Sequence, residues 1–172
     1  NRPCLAVHMW IASDGGLTRH SFVRGLMKST ARLTYSKVQT AHDGRPDGQT
    51  APLMATVIEP LYGAFETLLK SRNYRSPLEL DIPERHIEMA DDGTVRAIIE
   101  RERLDSHRLI EEFMITANVA AAETLEKQRQ PCMYRIHDRP SKEKADALNQ
   151  FLYPLDLQFA KGQVPQPRQF NQ

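Results

Sequence analysis

The residues best suited to chemistry lie on one predicted helix, residues 104–125, with the sequence LDSHRLIEEFMITANVAAAETL. Its apolar residues recur at helical spacing but cover nearly every side, which is typical of a helix buried in a core. Glu111 and Asn118 lie two turns apart on one stripe. Arg108 and Glu112 have the i,i+4 spacing of an ion pair. A carboxylate on a buried helix must be paired, hydrogen-bonded or functional, so a structural ion pair and a working polar site both stay open.

A second group of candidates surrounds Tyr35, which has Arg32 and Lys37 close by in the sequence. Proteins that bind single-stranded nucleic acid combine aromatic platforms with cations along a channel, and this group has both. A lone tyrosine is also an ordinary core aromatic, so that interpretation stays open as well. The scattered histidines favour structural roles over a catalytic base, including His107 and His137.

The polar loop AHDGRPDGQT, at residues 41–50, gathers His42, Asp43 and Asp47. Turn chemistry explains these residues better than a metal site does, because Asp, Gly and Pro are the usual turn formers. The sequence also contains no phosphate-binding loop, no dinucleotide-binding fingerprint and no G-x-S-x-G nucleophile motif. The loop is therefore not expected to bind a metal, and none of these common motifs supplies a catalytic residue.

Composition limits the possible classes of protein. The 172 residues suit one domain, and a hydrophobic content of 40% suffices for a core. The net charge of +1 gives no general polyanion-binding signature. Cys4 and Cys132 have no metal-ligand spacing around them and favour free thiols in a cytoplasmic protein. No apolar run is long enough to cross a membrane.

These residues are positioned by alternating short strands and helices, so we predict an α+β fold of antiparallel strands packed on a long buried central helix. Asp-Gly turns are expected to close two hairpins, Thr34 to cap a short helix, Pro60 to interrupt the helix that contains it, and Asp105 or Ser106 to cap the central helix. The predicted strands are 4–12, 17–28, 78–89, 94–101 and 132–137. The predicted helices are 33–40, 51–73, 104–126 and 142–152, followed by an extended tail at 162–172.

Three segments in order resemble the RNase II / RNase R family, the exoribonucleases built on the RNB catalytic domain, and RNase R more closely than RNase II. The segments are ARLTYSKVQ at 31–39, RERLDSHRLIEEFMITANVAAAETL at 101–125 and MYRIHDRPSKEKADAL at 133–148. The resemblance covers nearly the whole chain. It implies that residues 1–172 are one partial RNB domain, the middle part of the catalytic domain.

The resemblance also implies a function and roles for particular residues. Enzymes of this family degrade single-stranded RNA processively from the 3′ end and use a divalent metal, usually Mg²⁺. Tyr35 corresponds to a tyrosine that stacks near the 3′ end of the RNA, and Glu111 to a carboxylate that hydrogen-bonds the terminal ribose. Arg108, Glu112 and Asn118 are expected to support that site.

Two family motifs are absent from the sequence: the Asp-x5-Asp-x-Asp-Asp cluster that holds the metal, and the downstream Thr-Ser-Pro-Ile-Arg-Arg-Tyr motif with its catalytic arginine. We therefore expect a fragment of a larger enzyme, inactive by itself, with the Mg²⁺ ligands outside this chain and uncovered edges that favour self-association. Two alternatives are a non-catalytic RNA-binding or scaffold protein derived from the RNB fold, and a half-chain complemented by partners.

Overall fold

The computed structural model describes residues 1–75, 77–78, 82–83, 85–100, 102–157 and 159. The tail expected at 162–172 lies outside the described residues. The strands are β1 (Arg2–Ile11), β2 (Leu17–Met27), β3 (Arg85–Met89) and β4 (Val95–Glu100). The α-helices are α1 (Tyr35–His42), α2 (Glu59–Arg75), α3 (Asp105–Lys127) and α4 (Lys142–Leu152), joined by short 3-10 segments at Ala51–Leu53 and Tyr153–Leu155 and a π-helical segment at Met54–Ile58.

Both predicted hairpins form. The Asp14 side chain accepts a hydrogen bond from the Gly16 amide (2.9 Å) in the first turn, and Asp92 accepts one from the Thr94 amide (2.9 Å) in the second. Each hairpin is a separate antiparallel two-stranded sheet among the described residues. In the strand predicted at 78–89, regular pairing among the described residues covers Arg85–Met89, and residues 79–81 and 84 lie outside the described residues.

The strand predicted at 132–137 is wrong. The described chain from Pro131 to Ser141 has no regular secondary structure, and its apolar residues face solvent. Met133 is 98% exposed, and Ile136 is also largely exposed. The apolar character of CMYRIH indicated a buried strand, but no described strand lies alongside to supply ladder hydrogen bonds.

The helix predicted at 51–73 is divided near its proline, as expected. Pro60 is the second residue of α2, where its missing N–H removes a bond to the preceding turn. The chain before it follows a 3-10 turn and then the wider π-helical segment at Met54–Ile58. Local proline chemistry thus accounts for the break.

The predicted cap of α1 is confirmed, and a serine caps α4. The Thr34 hydroxyl accepts from the Lys37 amide (3.3 Å), and the Ser141 hydroxyl accepts from the Lys144 amide (3.4 Å). The predicted cap of the central helix is wrong, because Leu104 occupies the N-cap position.

Helix α3 buries a different face from the one expected. Its buried residues follow one stripe, but more than half of them are polar: Ser106, Leu109, Glu112, Thr116 and Ala120. Apolar residues expected in the core are exposed instead, with Met114 at 59% and Ile110 and Val119 also open to solvent. The prediction that α3 is buried on nearly every side is therefore wrong. The expected self-association through uncovered apolar surface stays a prediction.

The core lies where α1, the π-helical segment, α2 and α3 meet. Its buried apolar cluster consists of Ala41, Ile58, Tyr62, Phe65 and Leu109. Strand β1 contacts both α2 and α3, so the first hairpin packs against this helical layer. The α+β class is confirmed. No helix in the described ranges combines the length and apolar content needed to cross a bilayer.

Gly15 docks the turn of the first hairpin onto α2. Its φ of +85° is a left-handed conformation, and a Cβ added there would lie 2.3 Å from the Thr67 carbonyl oxygen. Gly44 has a nearly identical φ of +87° but open space around it. A side chain at Gly15 would therefore cause both backbone strain and a steric clash, whereas one at Gly44 would cause backbone strain alone.

We expect Gly15→Ala to lower the free energy of unfolding by about 2–4 kcal/mol, the sum of left-handed strain and a forced shift of the turn. Gly44→Ala should cost only the strain, about 1–2 kcal/mol. Urea unfolding of both variants measures the difference. Equal losses would mean that the contact between the turn and α2 contributes nothing.

Candidate functional site

A groove of about 520 Å³ lies between α1, α2 and the start of α3, and Tyr35 forms part of its wall. The lining is mostly apolar, and Tyr35 itself is 43% exposed. The groove therefore offers a planar ring and apolar surface to an entering ligand. Its lining residues are Arg32, Leu33, Thr34, Tyr35, Val38, Ile58, Leu61, Tyr62, Ser106, Leu109 and Ile110.

The first turn of α3 holds Tyr35 in place. The Ser106 hydroxyl donates to the Tyr35 carbonyl oxygen (3.0 Å), and the Ser106 amide donates to the Gln39 side-chain oxygen (3.0 Å). The Tyr62 hydroxyl donates to that same oxygen (3.2 Å). One buried serine and one glutamine therefore connect three helices directly behind the groove.

The ring of Tyr35 already has an aromatic neighbour within the protein. The His107 ring lies 4.3 Å from it, centroid to centroid, with an interplanar angle of 30°. The Leu104 amide donates to His107 Nδ1 (3.2 Å), which leaves the proton of a neutral imidazole on Nε2. His107 is thus a positioned structural residue, as the sequence favoured, and it limits how Tyr35 can turn.

Of the two cations near Tyr35 in the sequence, only one lines the groove. Arg32 contributes to the groove wall. Lys37 instead donates to the Gln49 side chain (2.7 Å) and lies 3.6 Å from an Asp47 carboxylate oxygen. Lys37 therefore fastens the polar loop and does not serve the groove.

The loop at 41–50 is organised by turn chemistry, as expected. Asp47 accepts from the amides of Gln49 (3.0 Å) and Thr50 (2.9 Å). The hydrogen bonds from Thr50, followed by that from Gln49 and the charge of Lys37, hold the pKa of the Asp47 carboxyl below its usual value. His42 stacks on Tyr62 with a centroid separation of 3.6 Å.

Tyr62 stays a neutral hydrogen-bond donor over a wide pH range. Burial raises the pKa of Tyr62 to about 12, and the nearby charges of Asp105 and Asp43 act in the same direction. Its bond to Gln39 is therefore present at any pH in which the protein is ordinarily handled.

Glu112 is the most deeply buried charge in the described chain, only 1% exposed. Arg72 Nη1 lies 2.5 Å from one of its carboxylate oxygens, and Arg75 Nη2 lies 2.7 Å from the other. Both arginines come from the last turns of α2, so this cluster ties the end of α2 to the second turn of α3. The two ion pairs offset the free-energy cost of burying the Glu112 carboxylate.

The predicted pair between Arg108 and Glu112 is wrong. Arg108 instead donates to Asp105 (3.0 Å) and lies 5.9 Å over the Phe65 ring. Glu112 is turned towards α2, where two guanidinium groups compete successfully for it. Glu112 and Arg108 therefore act at different places on α3.

Glu111, the next residue, has a different environment. Its carboxylate accepts from Arg103 (2.7 Å), and Arg72 lies 3.8 Å away. The side chain is about half-exposed, and Glu111 is not among the residues that line the Tyr35 groove. Asn118 lies further along α3 and is exposed. The structure therefore places Tyr35 and Glu111 on adjoining surfaces rather than in one closed site.

The sequence did not reveal the contacts that Arg72, Arg75, Arg103, Gln39 and Ser106 make here. Arg72 is the most constrained of them, since its Nε is buried without a hydrogen-bond acceptor among the described residues. The sequence shows that α2 ends with two arginines in its last turn, but residue spacing does not predict which carboxylate they pair with. That pairing joins residues 37 and 40 positions apart.

The Mg²⁺ that the resemblance implies would need several oxygen ligands close together. Within the part of the chain that the structure describes, no group of three or more His, Cys, Asp or Glu side chains could hold a metal ion. Glu111 and Glu112 are both occupied by arginines, which makes them poor candidates. The described residues do not fit such a group.

Comparisons with known proteins agree on one family. The RNB domain family matches residues 1–172. Ribonuclease R of Escherichia coli (strain K12) is 36% identical over 172 residues, covering 99% of this chain and 21% of that protein. The chain therefore spans about a fifth of the length of the curated relatives it matches.

Two solved structures share the fold. Mycoplasma genitalium RNase R in complex with double-stranded RNA has a TM-score of 0.87 and 19% identity, covering 98% of this chain and 30% of that chain. The same protein in complex with ribose methylated single-stranded RNA has a TM-score of 0.84 and 19% identity, covering 97% and 27%. At this identity the likeness establishes the fold.

The neighbouring glutamates provide a direct test of the cluster. We expect Glu112→Gln to lower the free energy of unfolding by about 3–5 kcal/mol, because it leaves two guanidinium groups without their buried counter-charge. Glu111→Gln should cost less than about 1 kcal/mol, because that pair is solvent-screened. Urea unfolding distinguishes them. A small loss in Glu112→Gln would show that the α2–α3 contact depends on apolar packing alone.

Proposed function

This chain belongs to the RNB domain family, and we propose that it forms part of the catalytic domain of an exoribonuclease that degrades single-stranded RNA processively from the 3′ end with a divalent metal, Mg²⁺. The observation that carries the proposal is the match over the whole chain, together with 36% identity to Ribonuclease R. The half-exposed tyrosine beside an apolar groove supports it, because single-strand binding depends on stacking platforms.

In this proposal Tyr35 stacks against a base or sugar near the 3′ end. The hydrogen bond from the Ser106 hydroxyl holds the Tyr35 backbone, and the contact with His107 orders the ring before RNA arrives. A ring that is already ordered loses little conformational entropy on binding. Arg32, at the wall of the same groove, supplies a positive charge for the backbone.

Glu111 would accept hydrogen bonds from the hydroxyls of the terminal ribose. A carboxylate with about half of its surface open has acceptor capacity left beyond its bond to Arg103. The 2′-hydroxyl is the group that distinguishes RNA from DNA, so a carboxylate acceptor here favours RNA.

The supporting residues divide into two kinds. Glu112 acts through structure, because its pairing with Arg72 sets the rotation of α3 and hence the position of the adjacent Glu111. The side chains of Arg108 and Asn118 are at least partly exposed, and both are proposed to lie near the path of the RNA.

The metal ligands are proposed to lie outside this chain, in the same parent protein. In this proposal, no residue of the 172-residue chain takes part directly in the catalytic step. We also propose a cytoplasmic location, with which the free thiols of Cys4 and Cys132 are compatible.

Glu111→Ala in the parent enzyme should weaken its discrimination between RNA and 2′-deoxy 3′ ends. Losing a hydrogen bond to a charged group costs about 1.5–3 kcal/mol, which is roughly a 10- to 150-fold loss of discrimination. Stability should change little because Glu111 is about half-exposed and Ala favours the helix. Competition between RNA and 2′-deoxy-terminated substrates measures the ratio.

Glu66→Ala is the matched control, since it removes an exposed carboxylate from α2 instead of α3. Discrimination in Glu66→Ala should equal that of the unaltered enzyme. Unchanged discrimination in Glu111→Ala, accompanied by a large fall in thermal stability, would make Glu111 a structural ion-pair residue.

The 172-residue chain alone should have no ribonuclease activity. Phosphodiester hydrolysis needs a positioned nucleophile and compensation of the charge that develops on the phosphate, and the family's Asp cluster and arginine motif have no counterparts in this sequence. The assay is incubation of a 3′-degradable labelled oligoribonucleotide with the purified chain and Mg²⁺.

Progressive shortening from the 3′ end that survives repurification and disappears in Glu111→Ala would overturn this expectation. Shortening that persists unchanged in that variant identifies a contaminating nuclease, and the expectation stands.

A further inference from the structure

The first hairpin presents an aromatic and cationic surface that the Tyr35 groove does not include. Trp10 on β1 lies directly opposite Arg19 on β2, and the Arg19 guanidinium carbon is 3.7 Å from the centroid of the Trp10 ring. The His8 ring lies 6.3 Å from the same ring, and the Trp10 carbonyl accepts from the Thr18 hydroxyl (2.9 Å). The indole is therefore held in place yet remains 42% exposed.

Strand alternation explains why this surface is free within the described structure. Residues of one face of the hairpin, including Met9, His20 and Phe22, are half-buried. His20 fastens that face to α3, with Nε2 located 2.9 Å from the Thr124 hydroxyl oxygen. Because side chains alternate along a strand, the opposite face points away from the helices. We call this opposite face, consisting of His8, Trp10, Arg19 and Ser21, the outer hairpin face.

The charge of the hairpin differs from that of the rest of the chain. Neither β1 nor β2 contains an acidic residue, whereas they carry Arg2, Arg19 and Arg24. Residues 1–28 have four Lys or Arg against one Asp, leaving 19 cationic and 21 acidic residues for the remaining chain. The net charge of +1 thus conceals a positive hairpin on a slightly negative body. A like-charged second copy fits this surface poorly, and a polyanion fits it well.

We propose that the outer hairpin face binds single-stranded RNA, with a base stacked on the Trp10–Arg19 pair and a flanking phosphate near Arg19. Aromatic rings and arginine planes are the surfaces on which unpaired bases stack, and arginine also attracts the phosphate. The outer hairpin face is separate from the Tyr35 groove, so it would bind a part of the RNA that lies outside the groove. The choice of RNA as the ligand rests on the proposed function, whereas the site itself rests on the hairpin geometry.

Trp10 is the only tryptophan in the chain, so its fluorescence reports this site alone. The probe is an unstructured oligouridylate, titrated into the 172-residue chain at low salt. Tryptophan quenching and the anisotropy of the same oligomer carrying a fluorescent label should give one dissociation constant. Trp10→Leu should weaken binding about tenfold, as expected when one base loses its platform, and Trp10→Phe should retain most of the affinity.

Two charge variants separate a local contact from general attraction. Arg19→Gln should weaken binding and reduce the slope of log affinity against log salt by about 0.7 for each lost phosphate contact. Arg24→Gln removes the same charge from the opposite face of the hairpin, where Arg24 pairs with Leu5, and should change the affinity much less. Equal losses in the two variants would overturn the assignment to the outer face.

The remaining outcomes distinguish this proposal from the proposed function. Binding that Tyr35→Ala abolishes and Trp10→Leu leaves intact overturns the hairpin site and leaves the proposed function standing. Binding that survives Tyr35→Ala but is lost in Trp10→Leu supports the hairpin site. Anisotropy change without tryptophan quenching overturns it, as does a complete absence of RNA binding. Quenching that depends on protein concentration, with dimers seen by light scattering, assigns the face to self-association and also overturns it.

Discussion

The buried carboxylate of Glu112 is the interaction on which the arrangement of the helices depends. A charge that is 1% exposed is tolerated only with full pairing, and Arg72 and Arg75 provide it from the end of α2. This requirement fixes how α3 is rotated about its axis. It places Leu109 in the core beside Phe65 and leaves Met114 exposed, although hydrophobicity alone would bury both.

The rotation set by Glu112 also determines the surroundings of the candidate site. Ser106 lies on the same buried face of α3 as Glu112, six residues earlier, and its hydroxyl donates to the carbonyl of Tyr35. Glu111, rotated by one residue, reaches the surface and meets Arg103. Two adjacent glutamates thus have different environments, one buried within the fold and one half-exposed, because a helix turns about 100° for each residue.

The two surfaces proposed to bind single-stranded RNA result from different kinds of local structure. The Tyr35 groove depends on three helices that meet through Gln39, so its shape requires the tertiary fold. The outer hairpin face depends on cross-strand register, which pairs Trp10 with Arg19, and on the docking of the other face through His20. The near-neutral net charge hid the second surface, since the positive hairpin is balanced by a slightly acidic remainder.

The sequence by itself determined the features that depend on near neighbours. The hairpin turns at Asp14 and Asp92, the Thr34 and Ser141 caps and the break near Pro60 follow from local hydrogen bonding and backbone restriction. It also carried the motifs of the RNB family and the position of Tyr35. The tertiary structure alone decided the partners of Glu112 and the solvent exposure of residues 132–137, where a strand was expected. Ion pairs across 37 and 40 residues leave no periodic signal, and an apolar segment becomes a strand only where another strand completes its hydrogen bonds.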